Sequence, residues 1–315
     1  MSTIQPSRPG AAAPQRHTHL DGLAVLSLVA CCFLWGLNQV AIKAAMPEVP
    51  ALVQLSVRSG SAALLVLLWM RWRGVSFSLR DGTFGPGLLA GVLFAVEFAC
   101  IFMGLKYTTA ARSVVFINTS PFIVAILLAW LTPSERLRWP QLAGMVLAFG
   151  AIAQAFWEGF AHPDHTAAGH DQLLGDALVL IGATLWGLTT VVIRTTALRT
   201  APPEKTLAYQ LVVAALLAPL ATVVAGQSWP SHWSALALGS LFYQGVIVTF
   251  ASYLVWFWLL MTYPATKVQA FVFLSPVFGT VCAGLLLDEP LGARLLLGLV
   301  GVVLGLVLMD WRRSS

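Results

Sequence analysis

Ten apolar runs, each about as long as a bilayer is thick, constrain this chain more than any other feature. They fall at 22–44, 50–71, 86–106, 110–131, 139–157, 173–194, 205–225, 234–258, 266–287 and 291–311. About 20 apolar residues in a helix cross a hydrocarbon core about 30 Å thick. Lipid offers no hydrogen-bond partner, so a spanning backbone must answer its own polar groups as a helix or a closed barrel. Barrel strands would alternate polar and apolar residues over segments about ten long. The runs here are twice that length, which predicts an all-α membrane protein with ten transmembrane helices. Composition agrees: 58% of the chain is hydrophobic and only 10% charged. A soluble domain carries about 25% charged residues to cover its surface.

Charge placement predicts the orientation. With the polar, proline-containing tail 1–20 in the cytoplasm, the cytoplasmic segments hold 13 Lys and Arg. The opposite side then holds Lys43, Lys106, Arg112 and Arg294, and Arg58 is left within a span. Cytoplasmic loops are the basic ones, so both termini are expected in the cytoplasm of a bacterial inner membrane. The net charge of +5 then faces an anionic leaflet. No basic block or stacking motif points to nucleic acid.

The chain repeats itself. Residues 34–43 read LWGLNQVAIK and residues 185–194 read LWGLTTVVIR, six of ten positions being identical. A second match aligns Arg112, Phe116, Ser120 and Pro121 with Lys267, Phe271, Ser275 and Pro276. The halves are expected at 21–157 and 173–311, joined by an external loop at 158–172 and closed by a tail at 312–315. Each half holds five spans. Five is odd, so the second half enters from the opposite side and runs inverted. Two inverted five-helix repeats around a central cavity are the architecture of secondary transporters, with the substrate site at their interface. The function expected from this architecture is secondary transport by alternating access, with proton coupling as one means of driving it.

The first repeat carries further marks. Trp35, Gly36 and Asn38 in the first span, Lys43 at its end, Arg58 in the second span, and Glu135 after Pro121 resemble the EamA family of the drug/metabolite transporter superfamily. The second half matches with Trp186, Gly187, Pro276 and Glu289, while Thr189 replaces Asn38. The resemblance covers about 22–311. It implies ten helices, inverted repeats, a central cavity and export of amino acids, other metabolites or toxic compounds. It fixes no substrate.

Several residues are candidates for the chemistry. Glu97 lies midway along the third span and reads as the sole acid within the spans. Such a carboxylate is costly in lipid and functional by default. It is a candidate proton site, or else a structural acid paired with Arg58 or capped by hydroxyls. Arg58 suits a substrate carboxylate through its planar fork, or a pairing role. Pro121 and Pro276 each remove a mid-helix hydrogen bond, at matched places in the two halves. Matched interruptions point to a gate or site, and Asn118 stands beside the first. Trp35, Trp186, Tyr243, Tyr253, Trp256 and Phe271 could wall an aromatic cavity. Asn38, Thr189, Gln210, Gln244 and Gln269 could orient a substrate or hold helices together.

Other signals point to packing or to nothing. Gly87 with Gly91, and Gly301 with Gly305, have the spacing that lets helices approach closely. It serves packing within the chain and also suits a homodimer face. Cys31, Cys32, Cys100 and Cys282 show no metal-ligand spacing. The loop HPDHTAAGHD is too loosely spaced to read as a metal site. No phosphate-binding loop or hydrolase motif occurs, so no cofactor and no enzyme are expected. An intramembrane enzyme would need converging span acids or histidines, and a sensor would usually carry a sizeable extra domain.

Overall fold

The computed structural model describes residues 20–78, 80–131, 139, 142–144, 146–147, 150–151, 154, 167–263, 268 and 271–310. Every regular element among them is helical. The first half contains α1 (Gly22–Ala45), α2 (Ala51–Arg73), α3 (Phe84–Tyr107), α4 (Ala110–Ile117) and α5 (Ser120–Leu131). The second contains α6 (Ala167–Thr195), α7 (Pro203–Val224), α8 (Ala235–Phe242), a π-helix (Tyr243–Ser252) and α9 (Tyr253–Thr262). It ends with α10 (Leu274–Leu286) and α11 (Ala293–Asp310). Seven stretches among the described residues are long and apolar enough to cross a membrane, and two shorter apolar helices lie at 274–286 and 295–305. The tail 1–19, most of the fifth expected span, the loop before Ala167, Glu135, Lys267 and Gln269 lie outside the described residues.

Helix ends follow local chemistry. Asp21 caps α1 by accepting from the Ala24 amide at 2.8 Å. Thr109 and Ser234 cap α4 and α8 in the same way. The left-handed backbone that closes α2 falls on Gly74, at φ 67°, where the absence of a Cβ makes it inexpensive.

The two prolines sit differently from the expectation. The fourth expected span divides at Asn118 and Thr119, and Pro121 is the second residue of α5. Pro276 is the third residue of α10, preceded by a 3₁₀ turn at Phe271–Phe273. Neither interrupts a helix in its middle. Both occupy a first turn, where the missing N–H is one the helix could not have used. The Asn118 amide donates back to the Val114 carbonyl at 2.8 Å and Thr119 to Phe116 at 2.7 Å, so the break is satisfied within α4.

Helices from the two halves interleave at their glycines. A Cβ on Gly36 of α1 would fall 2.6 Å from the Gly279 backbone nitrogen and 2.7 Å from the Ser275 carbonyl of α10. A Cβ on Gly187, its repeat counterpart, would fall 2.9 Å from Ile123 of α5. The expected GxxxG pairs are also used within the chain: Gly87 faces the Tyr209 ring and Gly91 faces Val213. Gly36→Val should therefore force α1 and α10 apart, at an overpacking cost of about 1–3 kcal/mol. Thermal unfolding in detergent checks this. Gly36→Val should melt clearly below wild type, whereas Gly60→Ala, with nothing within 4 Å of its added carbon, should not.

Candidate functional site

A cavity of about 410 Å³ lies between the halves, with walls from α1, α2, α3, α4, α6, α7, α9, α10, the π-helix and the 3₁₀ turn at Phe271–Phe273. Of the residues expected to line it, Trp35, Asn38, Arg58, Glu97, Asn118, Trp186, Thr189, Gln210, Tyr253 and Trp256 do so. Tyr243 does not: its hydroxyl donates to the Leu34 carbonyl at 2.7 Å and ties the π-helix to α1. Phe271 packs instead in a small cluster with Leu28 and Leu259. Gln244 joins helices, donating to Gln54 at 2.8 Å and to Ser240 at 2.9 Å.

The aromatic wall is built outward from Trp35. Its indole N–H donates to Ser252 Oγ at 2.8 Å. Its ring meets Tyr253 and Trp256 edge-on, with centroids 6.2 and 5.0 Å away. The opposite wall is one face of α3, where Phe94, Glu97, Phe98 and Ile101 recur at helical spacing and all line the cavity. Sequence reasoning found Glu97 there but passed over its aromatic neighbours. The signal was the 94/97/98/101 spacing, hidden because α3 is apolar on every face. Gln39 was missed as well, next to Asn38 in an otherwise apolar run.

Four polar residues of the cavity share one property. Asn38 Oδ1, Gln39 Oε1, Arg58 Nη1 and Glu97 Oε2 are all buried, and none has a partner in the protein. Leaving such a group unanswered costs about 1–3 kcal/mol, more when it is charged. Four residues around one cavity, each carrying an unanswered buried atom, call for an explanation in this place. Arg58 and Glu97 are 2% and 1% exposed. No ion pair joins them; the ion pairs among the described residues are Arg112–Asp176 and Lys205–Asp81. The structural alternative for Glu97, direct pairing with Arg58, is not what the chain adopts.

Those two pairs close the two ends of the bundle. Near the start of α6, Arg112 grips Asp176 through Nε and Nη2, and Thr108 donates to the same carboxylate at 2.5 Å. Glu289 accepts from the Ala110 and Ala111 amides at 2.7 and 2.9 Å, capping α4. The Lys43 ammonium donates to the carbonyls of Leu105 and Thr108. Asp176 is fully buried within α6, so Glu97 is not the only acid in the spans. A contrast of loop charge with span charge overlooked it, because its partner Arg112 had been assigned to a loop. At the other end, Lys205, also fully buried, donates to Asp81 Oδ2 and the Ser78 carbonyl at 2.5 Å each. Arg194, an exposed residue that lines the cavity, lies toward this second end.

These features define a multi-pass helical membrane protein with a cavity between two halves. The chain belongs to the EamA-like transporter family, whose model matches it twice, at 22–157 and 173–310. It is 26% identical to the uncharacterized transporter YvbV of Bacillus subtilis (strain 168), over 92% of both chains. It is 27% identical to a probable amino-acid metabolite efflux pump of Escherichia coli (strain K12), over 93% of this chain and 97% of that one. A crystal structure sharing 17% identity aligns with a TM-score of 0.61 over 91% of this chain and 96% of that chain, which shows the shared fold.

The Lys205–Asp81 contact gives a pH test. The Lys205 ammonium, then the Thr83 hydroxyl, hydrogen-bond the Asp81 carboxylate and hold its pKa down at about 2, against an ordinary 3.8. A depressed carboxylate contributes its stability above its unfolded pKa and loses it as pH falls through the folded one. Asp81→Asn should therefore lower the melting temperature equally at pH 5.5 and 7.5. The difference from wild type should shrink only on acidification toward pH 2. Melting curves of both proteins at the three pH values decide it.

Proposed function

We propose that this protein is a secondary active transporter that exports small zwitterionic metabolites of the amino-acid class by alternating access. The observation that carries the reading is the cavity's unanswered polar set, Asn38, Gln39, Arg58 and Glu97, enclosed by aromatic rings. Three of those atoms are acceptors suited to an ammonium group, and the fourth is a donor suited to a carboxylate. The apolar walls suit the body of an amphipathic molecule. The name of the Escherichia coli relative favours the same substrate class.

The proposal includes ten spans in two inverted five-helix repeats, with Gly36 and Gly187 at equivalent crossings. It places both termini in the cytoplasm of the bacterial inner membrane. The Arg194 end of the cavity then faces the cytoplasm, and the Arg112–Asp176 and Glu289 contacts seal the far side. Pairs that join the halves at opposite ends can be broken alternately, as a cavity exposed to one side at a time requires.

Glu97 is the proposed proton site. The charged or titratable groups near it are Arg58 on α2, Tyr253 on α9 and Cys100 on its own helix. None of them forms an ion pair with it.

Counterflow in proteoliposomes tests the function. Vesicles preloaded with an unlabelled amino acid should accumulate the labelled one, and a panel of apolar amino acids that all fail to exchange would sink the proposal. Glu97→Gln should leave exchange measurable but flatten the response of net efflux to an imposed pH gradient. A gradient response equal to wild type would remove Glu97 from that role.

A further inference from the structure

The span after Ser234 changes register where it meets Arg58. Between α8 and α9 the backbone is a π-helix over Tyr243–Ser252, a form that is rare and concentrates at functional positions. Three of its residues meet α2 around Arg58. Gln244 reaches Gln54. Gly245 lies so close to α2 that an added Cβ would stand 3.5 Å from the Arg58 carbonyl. Thr249 touches the Arg58 side chain. The i→i+5 bonding of π-turns stacks Thr249 above Gln244.

Thr249 makes two hydrogen bonds, and the first dictates the direction of the second. Its hydroxyl donates to the Gln244 carbonyl, five residues back, at 2.7 Å. A hydroxyl has one proton. With that proton committed to Gln244, Oγ1 can only accept, and it accepts from Arg58 Nε at 2.6 Å. The guanidinium is held on its flat side as well. Its carbon stands 4.1 Å from the Phe98 ring centroid. A guanidinium held at Nε and on one face has its fork oriented, and Nη1 remains without a protein partner. Arginine cannot shed its charge, and a buried unpaired charge is strongly unfavourable. A carboxylate matches the geometry of the fork, and the apolar walls of the cavity suit a ligand with a single small anionic group beside an apolar body.

We propose that Thr249 is a positioning residue that fixes Arg58 as the carboxylate receptor of the cavity, so that ligands are selected for a free carboxylate beside an apolar body. The proposal rests on the reading of the cavity as the transport site, and it names what that site discriminates. Thr249 does not touch the ligand; it acts through Arg58.

Binding to the purified full-length protein in nanodiscs, followed by the fluorescence of its tryptophans, tests the inference. The probes are L-phenylalanine, L-leucine and L-methionine, each against its own carboxamide, which keeps the ammonium and side chain but lacks the carboxylate. Wild type should prefer each acid by tenfold or more. Thr249→Val should lose about tenfold in affinity for the acids, of the order of one charge-assisted hydrogen bond, and leave the amides within about twofold. Thr249→Ser should restore the wild-type preference. Thr249→Ala replaces the valine variant if the latter does not fold. An equal loss for acids and amides would show a merely structural role and overturn the proposal. So would unchanged acid binding in Thr249→Val, or a wild type that does not prefer the acids. Counterflow of the same amino acids separates the two claims. Selective binding without exchange would overturn transport and leave Thr249 in place, whereas exchange insensitive to Thr249 would do the reverse.

Discussion

Hydrocarbon offers no hydrogen bonds, and every polar group this chain carries into its spans must be answered by another part of the chain. The backbone meets that demand by being helical in every candidate span among the described residues. The side chains meet it unevenly. At the two ends the buried charges are answered: Arg112 and Thr108 answer Asp176, Glu289 answers two amides at the start of α4, and Lys205 answers Asp81 and Ser78. In the centre it is left open at Asn38, Gln39, Arg58 and Glu97. The contrast separates residues that hold the bundle together from residues that await a partner.

The end contacts share a second property. Arg112 and Asp81 belong to the first half, and Asp176 and Lys205 to the second, so each ion pair joins the halves. Glycines do the same in the apolar part of the interface, where Gly36 and Gly279 let α1 and α10 meet backbone to backbone. The cavity lies between these layers and takes its walls from both halves. It is a product of how the halves dock, and neither half encloses it alone.

Sequence reasoning reached the cavity where a residue's chemistry conflicted with its surroundings. Glu97 and Arg58 stood out because charge is rare in a span, and Trp35 and Trp186 because the repeat marked them. It failed where chemistry agreed with the surroundings or was explained too easily. Phe94 and Phe98 are ordinary in an apolar helix. Asp176 and Lys205 sit near span ends, where charge is expected, and only packing shows them to be fully buried. Tyr243 looked like a cavity residue because polarity alone does not tell which neighbour a hydroxyl will reach. Pro121 and Pro276 looked like mid-helix breaks because an apolar run does not show where one helix ends and the next begins.

What the sequence determined by itself is the solvent, the helical class and the duplication. Those follow from run length, hydropathy and self-similarity, which are properties of the chain read in order. What only the tertiary structure decided is which polar atoms are answered. Hydrogen bonds between residues such as Arg58 and Thr249, 191 positions apart, depend on helix register and docking. A local change from α- to π-turns rotates every later residue to a new face, and no composition or periodicity records it.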